Sequence, residues 1–285
     1  MKVAITGASG FLGQETARQF QSKGHSVIPI VRRSIGQPNE IICDLQKIDE
    51  PSLAEQLSCV DLVIHLACLA DFSTRLSIEM FNVNTIATYK LAKICKKITA
   101  KYIFASGTFL HGGHAEQISE SSKENPDLPY SMSKWLGEQL LVDVLDDSVI
   151  LRIGGIFGIN GPGHLGINTA IENALRKKIV PTLVGKGLAK RNYIYVKDVA
   201  KWIIKLYEEK KKGMFYLAGD ETLTIQKMLE TICTVFLGSP SYEQKNGPDS
   251  KDQICHASDG GPAMHTFYDA LIDIKTDFSF KNLCF

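Results

Sequence analysis

Short apolar runs alternate with helix-periodic stretches along most of the chain. The runs fall at Val3 to Thr6, Ser26 to Val31, Glu40 to Cys43, Asp61 to Leu66, Lys101 to Ala105 and Val149 to Arg152. Strands covered by helices on both faces read as near-continuous apolar segments of this length. Between them, apolar positions recur with helical spacing from Phe11 to Ser22, which stops before Gly24 as a helix C-terminus does, and again at Glu79 to Lys97, Tyr130 to Val144 and Val196 to Glu209. The polar stretch Ser119 to Pro129, with two prolines, predicts a surface loop that delivers Tyr130 into the next helix. Strand–helix alternation predicts an α/β fold with a doubly wound parallel sheet.

Beyond Ile153 the pattern weakens. Gly154, Gly155, Gly158, Gly161, Pro162, Gly163 and Gly166 crowd a short stretch, where the chain is expected to leave the sheet and build a smaller lobe. The Val196 helix and a strand from Met214 to Ala218 return it. The expected division is residues 1–154 and 197–218 for the sheet domain, and 155–196 and 219–285 for a discontinuous substrate lobe. After Thr224 one helix is legible, whereas Ser239 to Pro262 is too rich in Gly, Pro, Ser and Asp to assign.

Composition narrows the partners. The chain has 285 residues and is 44% hydrophobic, enough for a sizeable core. Its formal net charge of +1 provides no field for nucleic acid or an anionic membrane, so small molecules are the expected partners. No run approaches the roughly 18 apolar residues of a membrane span, and Val3-Ala4-Ile5 reads as a strand with no leader ahead of it, so a cytoplasmic location is expected. Seven cysteines (Cys43, Cys59, Cys68, Cys95, Cys233, Cys255 and Cys284), odd in number and without a C-x-x-C pair, read as reduced thiols.

The first strand runs directly into Thr6-Gly7-Ala8-Ser9-Gly10-Phe11-Leu12-Gly13 and then a helix. Glycines there permit a tight turn, let backbone approach a pyrophosphate and pack helix on strand, while the helix start offers free N–H groups and a positive dipole end. The spacing T-G-x-x-G-x-x-G between strand and helix predicts dinucleotide binding by Gly7, Ser9, Gly10, Phe11, Leu12 and Gly13. After the second strand stand Arg32 and Arg33, where an NAD site usually offers an acidic residue to the ribose 2′-hydroxyl. Guanidinium groups match a 2′-phosphate, so NADP(H) is the expected cofactor with NAD as the alternative. In Tyr130-Ser131-Met132-Ser133-Lys134, a tyrosine and a lysine four residues apart share one helix face. The ammonium can there lower the phenol from its ordinary pKa of about 10, making it a usable acid or base.

This combination resembles the extended short-chain dehydrogenase/reductases, also called the NAD-dependent epimerase/dehydratase family, over nearly the whole chain. Asp44-Leu45 is similar to the aspartate-hydrophobic pair beside the adenine, and His65-Leu66-Ala67 to the end of the fourth strand. Asn82-Val83-Asn84 resembles the N-V-N helix start, with Ala87 where a glycine is usual. Leu151 to Gly158 resembles L-R-P-x-x-V-Y-G with Ile153 for the proline, and Arg191 to Ala200 resembles R-x-F-I-H-V-x-D-V-A. The resemblance implies a Rossmann sheet with cofactor contacts from Asp44, Leu45, Leu66 and Ala67. It also implies proton transfer by Tyr130, with Lys134 holding the ribose, and a nucleotide-sugar substrate contacted by Asn84 and Arg191. The net reaction is open between reduction, epimerisation and dehydration, with NADPH-driven reduction favoured by the two arginines. A homodimer through the helices at Glu79 to Lys97 and Tyr130 to Val144 is implied as well.

One departure stands out. Matching Phe104 to Gly112 against the family's S-S-S-x-x-V-Y-G places Gly107 where a catalytic serine or threonine is expected, and His111 where a tyrosine is. Thr108 is the first choice to supply the hydroxyl, with Ser106 on the other side of the gap. Gly107 keeps one rival open, a non-catalytic NADP(H)-binding sensor, and a reductase of small carbonyl compounds stays open because the lobe after Ile156 carries no legible substrate code. His111-Gly112-Gly113-His114 reads as a solvent-exposed loop rather than a metal site, for want of a third ligand. Lys210-Lys211-Lys212 reads as a helix C-terminus that favours cations.

Overall fold

The computed structural model describes residues 1–283; Cys284 lies outside them. The chain divides into two compact units, one of residues 1–113, 122–153 and 200–216, the other of residues 114–121, 154–199 and 217–285. The second unit thus also takes in 114–121, a segment the glycine pattern did not separate from the sheet domain.

The first unit is built on a sheet of seven strands: β1 Lys2–Thr6, β2 Ser26–Val31, β3 Ile41–Ile42, β4 Leu62–His65, β5 Lys101–Gly107, β6 Ser148–Ile153 and β7 Gly213–Leu217. Their order is β7-β6-β5-β4-β1-β2-β3, with every pairing from β6 across to β3 parallel. The direction of strand addition reverses between β1 and β4, which opens the crevice at the carboxyl ends where doubly wound sheets bind ligands. β4 and β6 are buried at every position, as expected of strands covered on both faces. One side of the sheet packs Ala4, Ile30, Val63, Tyr102, Phe104 and Ile150 against Leu91, Cys95 and Leu141 from two helices.

Those helices are Ala87–Ile98 and Pro129–Val144. A Cβ on Gly137 would stand 2.7 Å from the Asn84 carbonyl oxygen, so only glycine allows this approach. Ahead of Ala87 the helix opens into a π-type stretch, Asn82–Ile86. Such interruptions often mark functional sites, and the apolar periodicity carried no sign of this one.

The C-terminal ends of β1 and β4 are clasped by side chains. Thr6 Oγ1 lies 2.7 Å from His65 Nδ1 and accepts a hydrogen bond from the Ala67 amide at 3.2 Å. His65 is wholly buried and stacks on Phe104 with centroids 5.5 Å apart. Its Nε2 has no hydrogen-bond partner among the described residues.

The second unit carries helices at Gly166–Glu172, Ile225–Leu237 and Phe267–Leu283 with short paired strands. Thr182–Val184 pairs with Glu243–Lys245, and Ile254–Cys255 with Gln117–Ile118. The stretch after Ser239 escaped the sequence pattern because its strands are two or three residues long and largely polar.

Burial, and then the Lys134 ammonium, hold the His65 imidazole well below its ordinary pKa. A neutral folded histidine that protonates in the unfolded chain contributes stability above the unfolded pKa and loses it as pH falls below. The parent protein should therefore lose urea resistance from about pH 7.5 to about pH 5 more steeply than His65→Asn, with equal slopes the opposing result.

Candidate active site

The glycine turn is shaped by backbone contacts. Gly7 sits at φ +68°, and a Cβ there would lie 2.8 Å from the Ala67 nitrogen. A Cβ on Gly13 would lie 2.0 Å from the Gly7 carbonyl oxygen. Gly10 is the N-cap of the Phe11–Ser22 helix, no side chain caps that end, and the first turn holds no acidic residue. Ser9 is exposed, with its carbonyl accepting from Gln14 Nε2 at 2.8 Å, and Phe11 and Leu12 are half-buried at the helix start. The first amides of the helix thus have no competing side-chain anion, and the residues fit a dinucleotide pyrophosphate.

The strand ends bring other expected residues to the same edge of the sheet. Thr6 pairs with Ile30 in register, so the chain leaving β2 through exposed Arg32 and Arg33 runs beside the turn leaving β1. Asp44 and Leu45 follow β3, where the Asp44 carboxylate accepts from the Gln46 amide and Leu45 packs on the core. Leu66 and Ala67 follow β4, directly against Gly7.

Tyr130 and Lys134 lie on the first turns of the Pro129–Val144 helix, both buried. The Lys134 ammonium donates to the Ala105 carbonyl at 2.5 Å and sits 4.0 Å from the Phe104 ring centroid. Burial lowers its pKa to about 8, against the opposing influence of Cys68 and Glu138. Burial, with the Cys68 thiol beside it, pushes the Tyr130 phenol well above its ordinary range. The lowering expected from Lys134 is therefore not seen: burial dominates the phenol, and the ammonium is engaged by the strand.

Two further expectations change. Asn84, expected to contact substrate, is fully buried and its amide is spent on the protein: Oδ1 accepts from the Leu69 amide at 2.9 Å, and Nδ2 donates to the Leu69 carbonyl at 2.9 Å and to Ser133 Oγ at 3.0 Å. It staples the segment holding Cys68 and Phe72 to the tyrosine helix. His111 is not on an exposed loop; it is buried, with Nε2 3.0 Å from the Tyr216 hydroxyl and Nδ1 3.0 Å from the Lys123 carbonyl. His114 is exposed, and no cluster of three or more metal-ligating side chains occurs among the described residues.

Tyr216 in turn accepts from Arg152 Nη1 at 2.6 Å. Arg152 also donates to Glu138 on the tyrosine helix at 2.7 Å and to Glu124 at 2.8 Å. Burial works against its charge, but the bonds to Glu138, Glu124 and Tyr216 prevail and keep it protonated. Nothing in the sequence marked this network, because its members are scattered over β6, β7, a helix and a loop.

The turn Thr108–His111 follows β5. Thr108 is buried in it. Ser106 Oγ is buried with no hydrogen-bond partner among the described residues, and strand alternation sends it to the face opposite Gly107. The rings of Phe72, Phe109 and Tyr130 pack together, with centroids 5.5 Å apart for Phe72 and Phe109, 4.9 Å for Phe72 and Tyr130, and 5.3 Å for Phe109 and Tyr130. Neither phenylalanine was singled out from the sequence; with Gly107 as the departure, the aromatic two positions later was the available signal.

The family model described as NAD dependent epimerase/dehydratase matches residues 3–219. The chain belongs to the NAD-dependent epimerase/dehydratase family. This family's resemblance to the chain extends to individual proteins. The spore coat polysaccharide biosynthesis protein SpsK of Bacillus subtilis is 27% identical over 224 residues, covering 76% of this chain and 73% of that protein. A UDP-glucose 4-epimerase of Caenorhabditis elegans is 23% identical over 263 residues, covering 74% of each. Among solved structures, the UDP-N-acetylglucosamine 4-epimerase of Bacillus cereus superposes with a TM-score of 0.85 at 25% identity, covering 98% of this chain and 99% of that one. The doubly wound sheet and the family reading of the sequence both hold.

The second unit places Arg191 on a short strand, where Nη1 donates to the carbonyls of Lys190 at 2.8 Å and Lys251 at 2.5 Å. No helix among the described residues is long and apolar enough to cross a membrane. The six cysteines among them are free thiols.

Lys134 gives a test of the buried charge. Its folded pKa, lowered to about 8, lies below that of an unfolded lysine, so its burial penalty is present in full below the folded value and is relieved as pH rises toward the unfolded one. The stability of Lys134→Met relative to the parent should be most favourable near neutrality and decline steadily through the alkaline range. A difference independent of pH in thermal melts would show that the ammonium is not desolvated.

Proposed function

We propose that the protein is an NADPH-dependent reductase of a nucleotide-linked sugar. The reading is carried by one juxtaposition: a buried tyrosine–lysine pair at the sheet edge that also presents the glycine turn, with two exposed arginines beside that turn. Gly7, Gly10 and Gly13 hold the pyrophosphate against the helix start, Asp44, Leu45, Leu66 and Ala67 line the dinucleotide, and Arg32 and Arg33 pair with a 2′-phosphate. When bound, the dihydronicotinamide supplies the hydride. Tyr130 gives its hydroxyl proton to the oxygen of the carbonyl as that double bond is reduced to an alcohol, and is reprotonated from solvent. Lys134 takes up the ribose in exchange for the Ala105 carbonyl and favours the transient phenolate, which the buried phenol resists on its own.

Arg191 is the candidate contact for the sugar nucleotide's diphosphate. Epimerisation is the second reading, supported by the relatives named as epimerases. A homodimer is part of the proposal: Ile86 at 41% and Val142 at 57% exposure leave apolar side chains on the two helical segments expected to pair.

Two measurements test the reading. Binding should be tighter for NADPH than for NADH, and the preference should shrink in the Arg32→Ala, Arg33→Ala double variant, since charge-assisted bonds to phosphate contribute about 1.5–3 kcal/mol each. Equal affinities in the parent, measured by calorimetry, would remove the basis for NADP(H). Tyr130→Phe keeps the ring and removes the proton, so turnover should fall roughly 10²- to 10⁴-fold with cofactor affinity nearly unchanged. A variant as active as the parent would refute proton transfer by Tyr130.

A further inference from the structure

We propose that Phe72, Phe109 and Tyr130 form an aromatic surface that receives the reacting end of the substrate, and that it selects a molecule deoxygenated beside the reacting carbon. The proposal rests on the reductase reading for its nucleotide sugar, but the ring surface is a property of the chain itself.

The starting point is Gly107. Its backbone is extended, at φ −156° and ψ 162°, a conformation open to any residue, so no turn requires glycine there. Space does. A Cβ at this position would lie 2.4 Å from Phe109 Cε2 and 2.8 Å from Cζ. The phenylalanine ring fills the room a side chain at 107 would need, and the hydroxyl expected at that strand end is displaced by an aromatic ring.

The ring is held there. His111, two residues on, is fixed through Tyr216 to buried Arg152 and through Nδ1 to the Lys123 carbonyl. On the other side Asn84 pins Leu69, and with it the segment bearing Phe72. Phe72 and Phe109 are each half-buried, so part of each ring remains accessible, while Tyr130 is covered.

What this surface offers a ligand follows from its chemistry. The hydrogen-bonding group described against the phenol is the Cys68 thiol at 4.0 Å, a weak partner. A substrate hydroxyl pressed against the two phenylalanine faces would lose water and gain no acceptor, whereas a methyl or methylene group gains dispersion contact. Discrimination of one such group in an apolar site falls in the range of about 10- to 200-fold.

The test uses the full chain with NADPH or NADP+ and two matched pairs. The first is a nucleotide-linked 3-deoxy-4-ketohexose and the corresponding 4-ketohexose with the same base and configuration; the second, free of any nucleotide, is cyclohexanone and 2-hydroxycyclohexanone. The parent should favour the deoxygenated member about tenfold or more in kcat/KM. Phe109→Ala should abolish the preference, mainly by raising KM for that member, with NADPH binding retained. Phe109→Leu, which keeps apolar volume, should retain part of it and guards against a folding defect in the alanine variant. Gly107→Ser alone should be impaired by collision, and Gly107→Ser combined with Phe109→Ala should recover and move toward the hydroxylated member. Saturation-transfer NMR with aromatic irradiation supplies a readout other than turnover: signal should concentrate on the methyl or methylene protons and weaken in Phe109→Ala.

Equal kcat/KM for both members in the parent, or a preference untouched in Phe109→Ala, overturns the proposal. If only the cyclohexanones are converted and the dependence on Phe109 persists, the ring surface stands and the nucleotide-sugar reading falls. If neither pair is turned over or shows saturation transfer, both fall together.

Discussion

A guanidinium buried to 1% exposure has to be paired, and the first unit is arranged around that demand. Arg152 sits within β6, a strand buried along its whole length, so its charge has no route to water. Removing a partner from such an ion is strongly destabilising, because the remaining charge is stranded. Its partners are therefore constrained in position: Glu138 brings the Pro129–Val144 helix against the strand, Tyr216 brings β7, and Glu124 brings the loop ahead of the helix. Through Tyr216 the same charge reaches His111, and hence the turn after β5. Tyr130, eight residues before Glu138 on the same helix, and Phe109, two before His111, are held opposite one another by a network that touches neither.

The sequence made some of this legible and hid the rest for a physical reason. Elements whose residues face one environment throughout announced themselves: buried strands as apolar runs, the Phe11–Ser22 helix by its period and glycine stop, the glycine turn by spacing that only close backbone contacts require. The Cβ distances at Gly7 and Gly13 confirm that need. Pairings between distant segments left no such trace. Arg152 looked like one letter of a family motif, His111 like one of two histidines on a solvent-exposed loop, and Asn84 like a ligand contact, because sequence shows a side chain's chemistry but not whether a neighbour has already used it. The π-type stretch at Asn82–Ile86 was hidden because it keeps the apolar pattern of an ordinary helix while shifting the register of its hydrogen bonds.

Tyr130 illustrates how burial can reverse a local argument. Spacing of four residues puts an ammonium and a phenol on one helix face, and in water that proximity favours the phenolate. Inside the fold the larger effect is desolvation, which disfavours charge on both groups in opposite directions: the phenol is raised and the ammonium lowered, so each is nearer to neutral than proximity alone would make it. The strand carbonyl of Ala105 and the face of Phe104 retain the lysine's charge in part. A pair so arranged resists ionisation of the phenol.

Gly107 then takes on a different meaning from that of a lost catalytic group. A hydroxyl deleted by chance would leave a void or a water-filled gap; here the space is occupied by the Phe109 ring, packed on Phe72 and Tyr130 and two residues before the buried His111. Deletion and replacement are linked, since the aromatic at 109 cannot keep this position with a serine or threonine at 107. The exchange trades a directional hydrogen bond for an apolar surface, and it does so beside Tyr130. In the reading proposed above, it alters what the site recognises and leaves Tyr130 in place, a route by which a common fold acquires a different substrate without rebuilding its chemistry.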